Sequence, residues 1–177
     1  MTDLVLTLIG PDRPGLVEAV AARVTSHGGN WLESRMAHLA GQFAGILRVE
    51  LPPERVADFQ AALRSLETEG LRVVASGGQP LVVEPVRTLE LTAVGQDRPG
   101  IVREVSQVLA RHGVNIEELA TDRRRAAEDG KLLFSAQARL RVPAAVDLDG
   151  LRRDLERIAH DLMVDLTLAP TVTTPKR

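Results

Sequence analysis

The octapeptide GPDRPGLV at positions 10–17 returns as GQDRPGIV at 95–102, so one unusual turn occurs twice, 85 residues apart. At the same offset His27 and Gly28 match His112 and Gly113, Asn30 matches Asn115, and Glu33 matches Glu118. Such a repeat in 177 residues means two copies of one small fold, with no room for a third domain of ordinary size. A module of that length buries only roughly 60–65% of the surface its unfolded chain exposes, so each would be modestly stable alone. Mutual support between modules is therefore expected, within one chain or across a homodimer, edge to edge or face to face.

Each repeated segment has a strand pattern before it and a helix pattern after it. Leu4, Leu6 and Leu8 share one face, as do Leu89, Leu91 and Ala93. Gly10 and Gly95 are expected to end these strands, and Asp12 and Asp97 to cap the following helices. Pro14 and Pro99 suit a first helical turn, where a missing donor costs little. Gly15 and Gly100 remove a side chain there, which would let a ligand or another backbone approach the helix N–H groups. The helices carry single apolar stripes: Leu16, Val17, Val20, Ala21 and Val24, then Ile101, Val102, Val105 and Leu109. Gly28 and Gly113 stop them, and Asn30 and Asn115 open the next strands. Returning strands follow through Phe43–Leu51 and Phe134–Val142, closed by Pro52 and Pro143, the second after a loop six residues longer. Second helices (Val56, Phe59, Leu63, Leu66; Leu148, Leu151, Leu155, Ile158) and last strands (Leu71, Val73, Ala75; Val164, Leu166, Leu168) complete each copy. The fold class is α+β: two ferredoxin-like βαββαβ modules in tandem, each an antiparallel four-stranded sheet covered by two helices. The expected boundaries are 1–76 for the first module, 77–86 for a linker, 87–170 for the second module and 171–177 for a tail. The linker has turn residues at its start and an apolar middle, which favours lying against the protein.

Several function classes are disfavoured. With 44% apolar residues there is no run long enough to span a bilayer, and no secretory leader precedes the first strand, so a soluble, cytoplasmic protein is expected. Without cysteine there is no disulfide framework, thiolate nucleophile or sulfur metal site. A net charge of −2 and helices used as sheet cover argue against direct nucleic-acid binding. Three Phe, one Trp and no Tyr leave little for stacking RNA bases. No phosphate-binding glycine loop, nucleophile elbow or paired carboxylates stand out, so no catalytic residue, metal or cofactor is assigned and the chain is not read as an enzyme. His27 and His112 sit where a helix C-terminus favours a partly charged imidazole, and His38 and His160 lack metal-ligand spacing. Arg123, Arg124 and Arg125 read as the basic, solvated tip of the longer loop, with Glu128 and Asp129 behind them.

DRPG[LI]V followed about a dozen residues later by HGxN, twice, resembles tandem ACT-domain proteins. The stretches NWLESRMAHLAGQFAGILRVELP and NIEELATDRRRAAEDGKLLFSAQARLRVP resemble those of the glycine cleavage system transcriptional repressor family. The resemblance implies a regulatory protein that binds a small amino acid, with glycine a candidate. It would act through a protein partner such as a transcription factor, as a co-regulator of glycine cleavage. A sensor or regulatory subunit acting on a metabolic enzyme is the alternative. The implied ligand residues are Asp12, Arg13, Pro14, Gly15 and Asn30, and Asp97, Arg98, Pro99, Gly100 and Asn115, at places where two modules meet.

The chemistry of that constellation is reasonable in itself. Helix N–H groups favour a carboxylate, an asparagine amide donates and accepts, and an aspartate meets an ammonium group. The plainer reading is that the aspartates are caps and the asparagines favour the bend after a helix. Trp31 and Leu32 stand where the second copy has Ile116 and Glu117, so the two sites need not be equivalent.

Overall fold

The computed structural model describes residues 1–78, 85–125 and 131–170. Most of the expected linker (79–84), Glu128 and Asp129 in the long loop (126–130) and the tail (171–177) lie outside the described residues. The chain divides into two compact units, 1–82 and 83–177.

The first unit runs β1 (Thr2–Pro11), α1 (Leu16–Ser26), β2 (Asn30–Leu39), β3 (Gln42–Leu51), α2 (Val56–Ser65) and β4 (Arg72–Gly77), with short 3-10 turns before and after α2. The second repeats the order as β5 (Val86–Gln96), α3 (Ile101–Arg111), β6 (Asn115–Arg125), β7 (Leu132–Pro143), α4 (Leu148–Leu162) and β8 (Val164–Pro170). The sheets are antiparallel with strand orders β2-β3-β1-β4 and β6-β7-β5-β8. These are the two ferredoxin-like modules that the alternating and 3.6-period patterns imply.

The core of each unit lies between the sheet and its two helices. Leu4, Leu6 and Leu8 of β1 are at most 3% exposed and meet Leu16, Val20 and Val24 of α1 and Phe59 and Leu63 of α2. In the second unit Leu89 and Leu91 meet Ile101, Val105, Leu109, Leu151 and Leu155. Period two in the strands and three-to-four in the helices thus converge on one buried layer. Both first helices end in the same way: Gly28 and Gly113 take positive φ (70° and 68°). Their N–H groups bond Thr25 and Ala110 carbonyls, while Gly29 and Val114 reach back to Val24 and Leu109 at 2.9 Å. That paired pattern satisfies carbonyls the helix leaves open, and it favours glycine because only glycine adopts left-handed backbone without strain.

Gly10 and Gly95 do not end their strands. β1 continues to Pro11, paired with Gln42, and β5 to Gln96, paired with Leu133. Their reason is crowding: a Cβ on Gly10 would stand 2.5 Å from the Gly70 carbonyl oxygen, and one on Gly95 2.7 Å from that of Met163. The chain leaving the second helix crosses the first strand at this point. The Arg123–Arg125 segment is likewise a strand end, not a loop tip, since all three residues pair with Leu132–Phe134 of β7. Gly95→Ala should therefore destabilise the chain by about 1–3 kcal/mol, the usual cost of forcing atoms into a packed contact, read as a lower midpoint in urea unfolding.

Candidate functional site

The two corners are built alike. Each first helix begins after a glycine in left-handed conformation, Gly15 at φ 93° and Gly100 at φ 101°, and no side chain caps either helix. Asp12 and Asp97 are thus not caps, and Pro14 and Pro99 precede the first helical turn instead of lying in it. The aspartates turn to the neighbouring hairpin. Asp12 N–H bonds the Gly41 carbonyl and Asp97 N–H that of Leu132 (2.9 and 2.8 Å). Asp12 Oδ2 lies 3.6 Å from His38 Nε2, and Asp97 Oδ2 lies 3.4 Å from Arg123 Nη1. Competition by these hairpin groups, not visible in local spacing, draws the carboxylates from the helix ends.

Arg13 and Arg98 reach the other way. Arg13 Nη2 donates to the Glu69 carbonyl at 2.8 Å and Arg98 Nη1 to that of Asp161 at 3.4 Å. Both acceptors lie at the end of the second helical segment, where carbonyls lack partners and the dipole favours a cation. What remains open at each corner is the backbone. A Cβ built on Gly15 or Gly100 meets nothing within 4 Å, and the first-turn N–H groups have no intrahelical acceptor by the geometry of any helix. The arrangement can receive an anion such as a carboxylate. Gly15 and Gly100 answer first to the backbone conformation, and the open space accompanies it.

The asparagines are elsewhere. Asn30 pairs with Glu50, which pairs with Asp3 near the start of β1, whereas Pro11, beside the corner, pairs with Gln42. Glu50 and Gln42 are eight residues apart on β3, or about 26 Å at ~3.3 Å per residue. Asn115 is displaced in the same way, pairing with Arg141 while Gln96 pairs with Leu133. Within a module, then, the corner and the asparagine occupy opposite ends of the sheet. Asn30 is exposed and its Nδ2 donates to Glu50 Oε1 at 3.4 Å; Asn115 is exposed as well.

The recurring glutamates mark a feature the spacing did not explain. Glu33 and Glu118 follow a β-bulge at the same point of β2 and β6, opposite Arg48 and Arg139. Glu118 forms an ion pair with Arg139, while Arg48 bonds Asp3 Oδ2 at 2.6 Å. The Asp3 contact holds the Arg48 guanidinium above its usual range. The repeated histidines are structural. His27 Nδ1 lies 2.7 Å from the Arg23 carbonyl oxygen and its ring stands edge-on to Phe59, and His112 Nε2 lies 2.9 Å from Asp154 Oδ2. That last hydrogen bond holds the Asp154 carboxyl below the ordinary carboxylate range. No group of three or more His, Asp or Glu among the described residues could hold a metal ion. No helix among them is long and apolar enough to cross a membrane.

Comparison with known proteins places both modules. A family model described as ACT domain matches residues 2–75, and a second of the same description matches 90–159. The glycine cleavage system transcriptional repressor of Escherichia coli (strain K12) is 24% identical over 162 residues, covering 90% of this chain and 85% of that protein. A crystal structure of an unknown protein from Galdieria sulphuraria is similar with a TM-score of 0.87 and 31% identity, over 97% of this chain and 99% of that one. A crystal structure of a candidate glycine cleavage system transcriptional repressor has a TM-score of 0.70 at 21% identity, over 94% and 95% of the two chains, and shows the fold alone.

With no cap to lose, Asp12→Ala and Asp97→Ala should each change stability by less than about 0.5 kcal/mol, as exposed pairs do. A loss near 1 kcal/mol in chemical denaturation, the usual value of a helix cap, would show that capping occurs in solution after all.

Proposed function

The chain belongs to the ACT-domain family, and from that premise we propose that it is a cytoplasmic, non-enzymatic regulator that binds a small amino acid, with glycine the first candidate. We place the ligand at the corners, Asp12–Gly15 and Asp97–Gly100, completed by Asn30 and Asn115. The observation that carries this reading is the uncapped helix N-terminus recurring at both corners beside open space. The ligand carboxylate would bond the first-turn N–H groups, and a carboxylate of Asp12 or Asp97 would meet its ammonium group.

The sheet register adds a condition. Because corner and asparagine stand at opposite ends of a module, about 26 Å apart along the strands, one module cannot bring both to a ligand the size of an amino acid. Two modules with their edge strands running head to tail would, the asparagine of each falling beside the corner of the other. A homodimer supplies such pairs, and ligand occupancy would then bias how modules associate.

The output would pass through a protein partner, a transcription factor governing glycine cleavage, in keeping with the name of the Escherichia coli relative. At a net charge of −2, the chain lacks the excess of cations that phosphate neutralisation demands.

Calorimetry with glycine and the other amino acids tests the site. Asn30→Ala and Asn115→Ala should each weaken binding by about 1–3 kcal/mol, the cost of unpairing a polar group that the ligand buries. Since both side chains are exposed without ligand, stability should move by less than about 0.5 kcal/mol. Unchanged affinity in both variants would move the site elsewhere. In a gel-shift assay at physiological salt the purified chain should leave operator duplex unshifted below micromolar concentrations. Tight, salt-sensitive binding without another protein would overturn the partner-mediated output.

A further inference from the structure

The helices of each module cover one face of its sheet and leave the other open, and the two open faces differ. In the first module Val5, Ile9, Ala44 and Ile46 lie on the open face of the two central strands, with Ala37 and Val74 on the strands either side. Ile9, Ile46 and Val74 are 48%, 52% and 51% exposed. By register and repeat, the matching positions of the second module hold Glu90, Val94, Ser135, Gln137, Asp122 and Thr167. One fold thus carries an apolar open face in its first copy and a polar one in its second. Burial of the sheet's other side explains neither, since alternation sends these side chains away from the core.

The cations on the apolar face are already paired. Arg48 Nη2 lies 2.6 Å from Asp3 Oδ2, and Arg35 Nη2 lies 3.1 Å from Glu33 Oε1. Covering the face would therefore leave neither guanidinium without a counter-charge. The second module's open face does not suit it as a cover: Val5, Ile46 and Val74 laid on Glu90, Gln137 and Thr167 would bury polar groups against side chains that bond none of them.

We propose that the open sheet face of the first module joins two copies of this chain, sheet on sheet. The order β2-β3-β1-β4 puts the middle of the sheet between β3 and β1. A two-fold axis running along the strands there lays β3 of one copy on β1 of the other, and β2 on β4. By register Ile46 then meets Thr7 of the second copy and Ala44 meets Ile9. Arg48 meets Val5, Arg35 meets Val74, Glu33 meets Ser76 and Arg72 meets Ala37, so no like charges oppose one another. Two sheets of identical twist pack aligned in this way, about 10 Å apart. Four strands about 4.8 Å apart and three rows of side chains about 6.7 Å apart give a footprint of roughly 400 Å² on each copy. About 800 Å² for the pair is the small end of specific interfaces, which makes the association reversible and concentration-dependent. The contact leaves the sheet edges open for the head-to-tail pairing described above, and it does not depend on the corner site.

Light scattering of the intact chain over a range of concentration tests the interface. The mass of wild type should double as micromolar concentrations are passed. Ile46→Lys and Val74→Lys, both at exposed positions, should each abolish that doubling, whereas Gln137→Lys, at the position matching Ile46, should keep it. A wild-type mass independent of concentration, or doubling retained in both face variants, would refute the proposal and leave the corner site untouched. A short sulfhydryl cross-linker gives a second reading, because the chain has no cysteine of its own. Thr7→Cys, central on the face, should link two chains, and Thr92→Cys, its counterpart in the second module, should not. Failure of Thr7→Cys to link chains counts against the interface. So does a Thr7→Cys/Thr92→Cys variant that links within one chain, which would make the second module the cover.

Discussion

In both modules the chain leaving the second helix passes so close to the first strand that only a hydrogen fits between them, at Gly10 and Gly95. That approach brings the end of the helical segment beneath the corner, where Arg13 and Arg98 bond its last carbonyls. The corner is therefore held from two sides, by the arginine on the helix end and by the Asp12 or Asp97 N–H on the neighbouring hairpin. With strand, helix end and hairpin fixed together, the left-handed glycine that follows has one direction in which to launch the next helix. The open N-terminus proposed to receive a ligand is a consequence of this clamp.

The same clamp supports different interiors. The first module fills the space under α1 with Leu8, Leu47, Trp31 and Met36, and the second leaves an apolar cleft under α3. A cavity in a core costs stability in proportion to the contacts its walls forgo. The fold tolerates the exchange because none of those side chains belongs to the corner.

Distance within the sheet shapes the functional reading as strongly as chemistry does. Residues that look like one constellation in the repeat, a corner and an asparagine some fifteen positions later, are separated by the length of a strand once α1 has run back along the sheet. A ligand held by both would sense the pairing of modules as much as the presence of an amino acid, which is a direct physical route from binding to regulation. This gives the proposed homodimer a function beyond stabilising two small cores.

The sequence alone determined the architecture. Alternation at Leu4, Leu6 and Leu8, the stripes through α1 and α3, and glycines at 28 and 113 are local signals, and each corresponds to a local property of backbone and side-chain geometry. Two copies of that pattern gave the succession of strands and helices along the chain and both helix stops, while the order of strands within each sheet came from the structure. What it misplaced depended on groups distant along the chain. Asp12 and Asp97 read as caps until the hairpin offered them other partners, and Arg123–Arg125 read as loop until β7 supplied a ladder. Gly10 and Gly95 read as strand ends because the helix end above them is more than fifty residues away in the chain. The separation of Asn30 and Asn115 from the corners, and the cleft at Ala93 and Ala138, likewise come from sheet register and packing. Those are sums over contacts between remote segments, and no window of the sequence contains both partners.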